Sequence, residues 1–193
     1  MRINSHPLPA SFFGIVLGLV GLGDCWRVAA SVWQLPHWIG EVIMVSAAIV
    51  WAVLLAFYLA KWVWFRDEAL AELRHPVQCC FIGLVGVATS LVAVAIAPYS
   101  HVLAVLLFVI GALATVGFGV YRTGHLWMGD RDPVTTTPVL YLPTVAGSFV
   151  SGFVASYLGY HDVGTLFFGA GVFSWFTLES IITHRVVRQI NVG

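Results

Sequence analysis

The sequence predicts an all-α polytopic membrane protein with six spanning helices paired into three antiparallel hairpins. Three observations predict it. Of 193 residues, 60% are hydrophobic and 9% charged, and the mean hydropathy is +0.92. A water-soluble domain carries about 25% charged residues, so these few charges cannot cover a soluble surface. The apolar residues gather in six runs near the length of about 20 residues that crosses a bilayer. Lys and Arg fall almost entirely in alternate connections, the asymmetry that sorts loops between the cytoplasmic and outer faces. Backbone polar groups inside lipid must be satisfied within the segment, so the runs are helices and not open strands.

Taken in order, the first span (10–32) follows a short polar N-terminus with no cleavable signal, and Asp24 and Arg27 interrupt its outer third. The second (42–60) is followed by Lys61, Arg66 and Arg74. The third (77–97) and fourth (102–121) are joined by a tight outer turn over Pro98–His101. Arg122 and Arg131 precede the fifth (139–158), Asp162 stands where an N-cap for the sixth (163–182) belongs, and Arg185 and Arg188 come last. With Arg2, eight of the nine Lys and Arg residues share one side, which puts both termini in the cytoplasm. Trp33 and Trp38 at the outer boundary, and Trp62, Trp64 and Trp127 at the inner one, suit the headgroup layer. The whole of 1–193 reads as one transmembrane domain in contact with the lipid bilayer.

One heading is written twice: HPLPASFFG from His6 and HPVQCCFIG from His75, 69 residues apart. Pro7, Pro76 and Pro143 fall at or near the cytoplasmic starts of the odd-numbered helices, where a missing N–H costs the helix nothing. The third copy is looser, with Ser148 and Val150 where Phe and Gly would stand. Each odd helix also carries small residues at helical spacing: Gly14, Gly18 and Gly21; Gly83, Gly86 and Ser90; Thr144, Gly147, Ser148 and Ser151. Offsets of three, four and seven put each set on one face. Such a face either lets a neighbouring helix approach closely or leaves room for a conduit. The fourth helix has one too, at Ala112, Thr115 and Gly119, but recurrence in successive hairpins fits repeats arranged about a common axis.

Charge is nearly absent at mid-membrane, which points away from proton relays and metal transport and towards passive permeation. Cytoplasmic helix N-termini facing such a path would favour anions. Asp24 and Arg27, three apart, are expected either to pair on one face or to act electrostatically at an outer mouth. Glu179 is expected to partner a base such as His184 or Arg185. Adjacent Cys79 and Cys80 read as packing, and His6 and His75 as boundary residues. The residues Thr135–Thr137 form a loop with no phosphate-cradling glycines. No catalytic constellation, metal site or cofactor site emerges, and the balanced charge points to no nucleic-acid partner.

The runs PASFFGIVLGLVGLG, RHPV at Arg74–Val77, TTPVLYLPTVAGSFVS at Thr136–Ser151 and LFFGAGVFSWFTLE at Leu166–Glu179 resemble the tellurite-resistance/dicarboxylate transporter family, which includes the slow-type anion channels of plant guard cells. The resemblance covers essentially the whole chain. It implies ten helices in five hairpins, odd helices lining a pore, homotrimers in the bacterial inner membrane, and passage of small inorganic or carboxylate anions, with tellurite or C4-dicarboxylate export as the traditional roles. It implies no enzyme activity. On that plan the lining residues are Gly14, Gly18, Gly21, Gly83, Gly86, Ser90, Thr144, Gly147 and Ser151, with Asp24 and Arg27 at the mouth. The family's pore-occluding phenylalanine belongs to a ninth helix and matches no position here, so a C-terminally truncated chain is expected. Two other readings stand beside this one: a non-conducting truncated remnant, and a membrane anchor for a haem or quinone redox enzyme, which visible haem absorbance would reveal.

Overall fold

Helix boundaries follow from where the chain can satisfy its first amides and where proline forbids a bond. The computed structural model describes residues 8–127 and 138–190. Helix α1 (Gly14–Trp33) pairs with α2 (His37–Trp64), a short helix α3 (Arg66–Arg74) follows, α4 (Gly83–Ile96) pairs with α5 (His101–Trp127), and α6 (Gly147–Tyr157) pairs with α7 (His161–Ile190). With their lead-in turns, six segments among the described residues are long and apolar enough to cross a membrane: Ala10–Trp33, His37–Trp64, Gln78–Ile96, His101–Gly124, Pro138–Tyr157 and His161–His184. No strand occurs among the described residues. The second span is longer than the apolar run because the boundary residues His37, Trp38, Trp62 and Trp64 are themselves helical.

The repeated heading has a structural meaning. A 3-10 turn over Ala10–Phe13 becomes α-helical at Gly14, and a 3-10 turn over Gln78–Ile82 becomes α-helical at Gly83. His75 serves the boundary directly: its Nδ1 accepts the backbone N–H of Val77 at 3.2 Å and of Gln78 at 3.1 Å. Those amides have no carbonyl partner one turn back. In the third span, a 3-10 turn over Pro138–Leu140 leads into a π-helical turn over Leu142–Ala146, and the α-helix starts at Gly147. Pro143 lacks an N–H, and its ring crowds the carbonyl four residues earlier; the wider π-turn relieves that clash. The glycine at which this α-helix starts is Gly147, four residues after Pro143 where Gly14 and Gly83 follow their prolines by seven. His6, Pro7, Arg2, Arg131 and Thr135–Thr137 lie outside the described residues.

α3 was not expected. Its Asp67 and Glu68 lie in the first turn and Arg74 in the last, the arrangement that complements the helix dipole. Asp162 is a second difference. Because α7 starts at His161, Asp162 lies inside its first turn and favours the positive helix end by charge instead of capping it. Gly159, at φ 92°, makes the preceding turn, a conformation few other residues adopt.

The odd-numbered spans, built on α1, α4 and α6, form a row. α4 packs against both α1 and α6; α2 lies against α1 and α4, α5 against α4 and α6, and α7 against α6. In the third span 78% of the most apolar stretch is buried, against 22% in the first and 11% in the sixth, so α4 is the centre of the bundle. Phe13, Val16 and Val20 of the first span, Met44 of α2, Val87 and Val92 of α4, Phe108 of α5 and Val154 of α6 make one continuous core. Apolar side chains such as Leu113, Val120 and Phe173 remain exposed, as befits surfaces wetted by acyl chains. Lipid tails are as apolar as leucine, so close fit and not hydrophobic exclusion holds the helices together.

Candidate permeation pathway

The small-residue stripe of α1 is open. A Cβ built on Gly14, Gly18 or Gly21 would have no non-local atom within 4 Å. The opposite face carries Val16, Val20, Gly23 and Ala30, all buried; two residues along a helix is a rotation of about 200°. Gly23 is the packing glycine of this helix, with Met44 Cγ 2.9 Å from the place of a Cβ. Cys25 continues the open stripe and is exposed. Ile15 and Leu22, about half exposed, flank it.

On α4 the equivalent residues are enclosed. A Cβ on Gly86 would stand 2.8 Å from Gly111 O and Thr115 N. One on Gly83 would stand 3.2 Å from Pro143 Cα. Ser90 is fully buried, and its hydroxyl occupies the space beside Gly111. On α6, a Cβ on Gly147 would run into Thr115 Cγ2, and Ser151 is 1% exposed. Gly83, Gly86 and Gly147 thus lie at helix crossings, where a missing side chain lets two backbones meet, and Ser90 faces Gly111 at another. Thr144 differs: it borders a groove between α5 and α7. The hydroxyls of Ser90, Thr144 and Ser151 are buried with no hydrogen-bond partner. Sequence reasoning missed Gly111 on α5, and Gly152 and Gly164 at the α6–α7 crossing, where a Cβ on Gly152 would stand 3.0 Å from Gly164 O. Their signal is the same small-residue spacing that was legible elsewhere.

Charge is confined to the two ends. At the outer end, Arg27 does not pair with Asp24 as expected. It reaches off the helix to Glu41, donating from Nε and Nη2 to the two carboxylate oxygens at 2.8 and 2.9 Å, and donates further to Val94 O at 2.9 Å and Ala95 O at 3.3 Å. A guanidinium has five fixed donors, and the frayed C-terminal carbonyls of α4 absorb two of them. This outcompetes a single neighbour on its own helix. Tyr99 Oη also donates to Glu41, a bond that holds its phenol above the usual ionisation range. At the opposite end, Lys61 and Glu72 form an ion pair at 2.6 Å, with side chains 5% and 6% exposed. The second carboxylate oxygen of Glu72 accepts the backbone N–H of Ala10 at 2.8 Å. An orphan amide at the start of the first span, expected to favour a passing anion, is met by the protein's own carboxylate. Glu179 accepts from the hydroxyls of Tyr141 and Thr183; of the two bases expected to partner it, the Arg185 side chain lies outside the described residues. Cys79 and Cys80 are buried against Leu140. His101 stacks on Tyr160 at the outer loops.

Helical hairpins in a repeated row, with ionic contacts held at the two ends of the bundle, define a polytopic all-α membrane protein built from internal repeats. Within that class, the chain belongs to the voltage-dependent anion channel family, whose sequence pattern matches residues 7–191. It is also 34% identical over 181 residues to the tellurite resistance protein TehA homolog of Haemophilus influenzae, an alignment covering 93% of this chain and 55% of that protein. The resemblance read from the motifs is borne out, and the chain spans about half the length of the curated relative it matches.

Proposed function

We propose that this chain forms part of a passive pathway for small anions, running along the open face of α1 at Gly14, Gly18 and Gly21. The observation that carries this reading is that face: free of side-chain bulk and of basic or acidic groups until Asp24, in a member of an anion-channel family. α4 and α6 serve as the scaffold that holds α1 in place, and the unpartnered hydroxyls of Ser90, Thr144 and Ser151 are donors that a permeating anion or its water can meet if the bundle breathes. Gly83, Gly86 and Gly147 contribute by letting α5 close against the row. Inorganic oxyanions and chloride-sized anions are the fitting class; the relative's name adds tellurite, and C4-dicarboxylates are the larger alternative. A bacterial cytoplasmic membrane, cytoplasmic termini and a homotrimer complete the proposal. The orientation is supported by Lys61, Arg66, Arg74 and Arg122, which share one end of the bundle.

The test uses the purified chain in sealed liposomes loaded with chloride or nitrate. Anion efflux is expected, and Gly18→Phe is expected to lower it at least about tenfold, a barrier increase of roughly 1.4 kcal/mol, without changing thermal unfolding. Cys25, the native thiol on the stripe, should react with a membrane-impermeant anionic thiol reagent at a rate that permeant anions slow. Efflux no faster than from empty liposomes sinks the reading.

A further inference from the structure

Two cavities of about 530 and 520 Å³ share Thr123, Pro143, Thr144 and Ser174, so they form one continuous groove between α5 and α7. Its floor is the π-helical turn Leu142–Ala146, and single π-turns recur at functional positions. On α7 the groove runs from Phe167 to Ile181, about 21 Å at 1.5 Å per residue. That exceeds the roughly 15 Å of hydrocarbon in one leaflet. Both walls are even-numbered spans, the fourth and the sixth, so the groove lies away from the open face of α1. Exposed Val120 and Phe173, 68% and 78% accessible, border it.

Unspent polar groups lie at the junction of the two cavities and on its basic side, whereas Thr115 and Ser148 in the other cavity donate to Gly111 O and Thr144 O. Arg122 lies near the end of α5 on the side of the bundle that holds Lys61, Arg66 and Arg74; its Nη2 donates to Pro76 O at 2.7 Å, while its Nε is buried and unpartnered. Thr144 Oγ1, also buried and unpartnered, lines the same space with the hydroxyl-bearing Thr123 and Ser174. A buried donor without a partner carries an appreciable desolvation cost, which an incoming acceptor removes. Among the described residues, no acidic side chain lines the groove. Glu179, on the adjoining face of α7, is engaged by Tyr141 and Thr183.

We propose that this groove binds an anionic phospholipid of the leaflet on the basic side, its phosphate on Arg122 and the Thr144 hydroxyl and one acyl chain along the α5–α7 channel. A cationic pocket between spanning helices at that depth is the usual receptacle for such a headgroup. An apolar trough continuous with the lipid-facing surface suits an acyl chain and not a hydrated free anion. The site is independent of conduction.

Native mass spectrometry of the full chain, with phosphatidylglycerol, phosphatidylcholine and inorganic phosphate as probes, tests the proposal. One phosphatidylglycerol should be retained about tenfold more strongly than phosphatidylcholine, as one charge-assisted contact warrants. Arg122→Gln should bring the two lipids level, while Arg66→Gln, at an exposed base on the same side, should leave the preference intact. Should Arg122→Gln fail to fold, Ser174→Phe, which fills the junction from α7, carries the test: loss of phosphatidylglycerol in the folded variant supports the site. Equal retention of the two lipids by the wild type overturns it. So does an equal loss in Arg66→Gln, unchanged binding in Ser174→Phe, or displacement of the lipid by inorganic phosphate.

Discussion

Gly18 of α1 and Gly86 of α4 stand one turn into the α-helices of successive odd-numbered spans, each after the glycine at which its α-helix begins. Where a Cβ would stand, Gly18 has nothing within 4 Å and Gly86 has Gly111 O at 2.8 Å. Both stripes have the same periodicity and composition, and a sequence reading treats them alike. The difference lies in the partners. α4 sits between α1 and α6 with α2 and α5 across the joints, so all its faces meet helices. α1 is at the end of the row and spends only its Val16–Val20–Gly23 face on packing. A small-residue stripe is therefore permission for close approach, and position in the bundle decides whether anything approaches.

If α1 is held by contacts other than its open stripe, removing its end anchors should cost most. Glu72→Ala leaves Lys61 buried and unpaired and Ala10 N–H without its acceptor; a loss of about 3–5 kcal/mol is expected, read as lower thermal unfolding in detergent. A cost below about 1 kcal/mol would place the hold on α1 elsewhere. Next comes the direct contrast. Gly86→Leu should force α4 from α5 and cost about 1–3 kcal/mol or more, whereas Gly18→Leu should stay within about 0.5 kcal/mol and act on anion flux alone. Equal destabilisation by the two would erase the distinction. Arg27→Ala removes the bidentate bond to Glu41 and two carbonyl caps; since both partners are partly solvated, about 1–2 kcal/mol is expected, from chemical or thermal unfolding. The smallest effect is expected of Asp24→Asn. It should raise anion flux by up to about threefold, the share of one partly screened charge, and unchanged flux would remove Asp24 from the path.

Much of this was legible before the structure. Six spans, the boundary role of His75 and the packing of Cys79 and Cys80 follow from apolar run length, proline chemistry and side-chain type. The third copy of the heading was misaligned because its α-helix starts at Gly147, four residues after Pro143 instead of seven, and no spacing rule announces the π-turn between them. α3 was missed because a nine-residue charged helix has no apolar run, and its Glu72 was missed with it. Of the two expectations for Asp24 and Arg27, the pair on one face followed from sequence distance, which ranks neighbours along one helix, whereas Glu41 is brought to Arg27 only when α1 and α2 fold into a hairpin.

Residue chemistry by itself determined that this chain lives in lipid as hairpins of helices, because unsatisfied backbone in hydrocarbon is too costly for any other arrangement. It also determined which faces lack bulk. Tertiary structure alone decided which of those faces close on a neighbour and which stay open, and which charges meet. Those outcomes depend on helices remote in sequence arriving at one place, and glycine, having no side chain, records no preference between a partner and empty space.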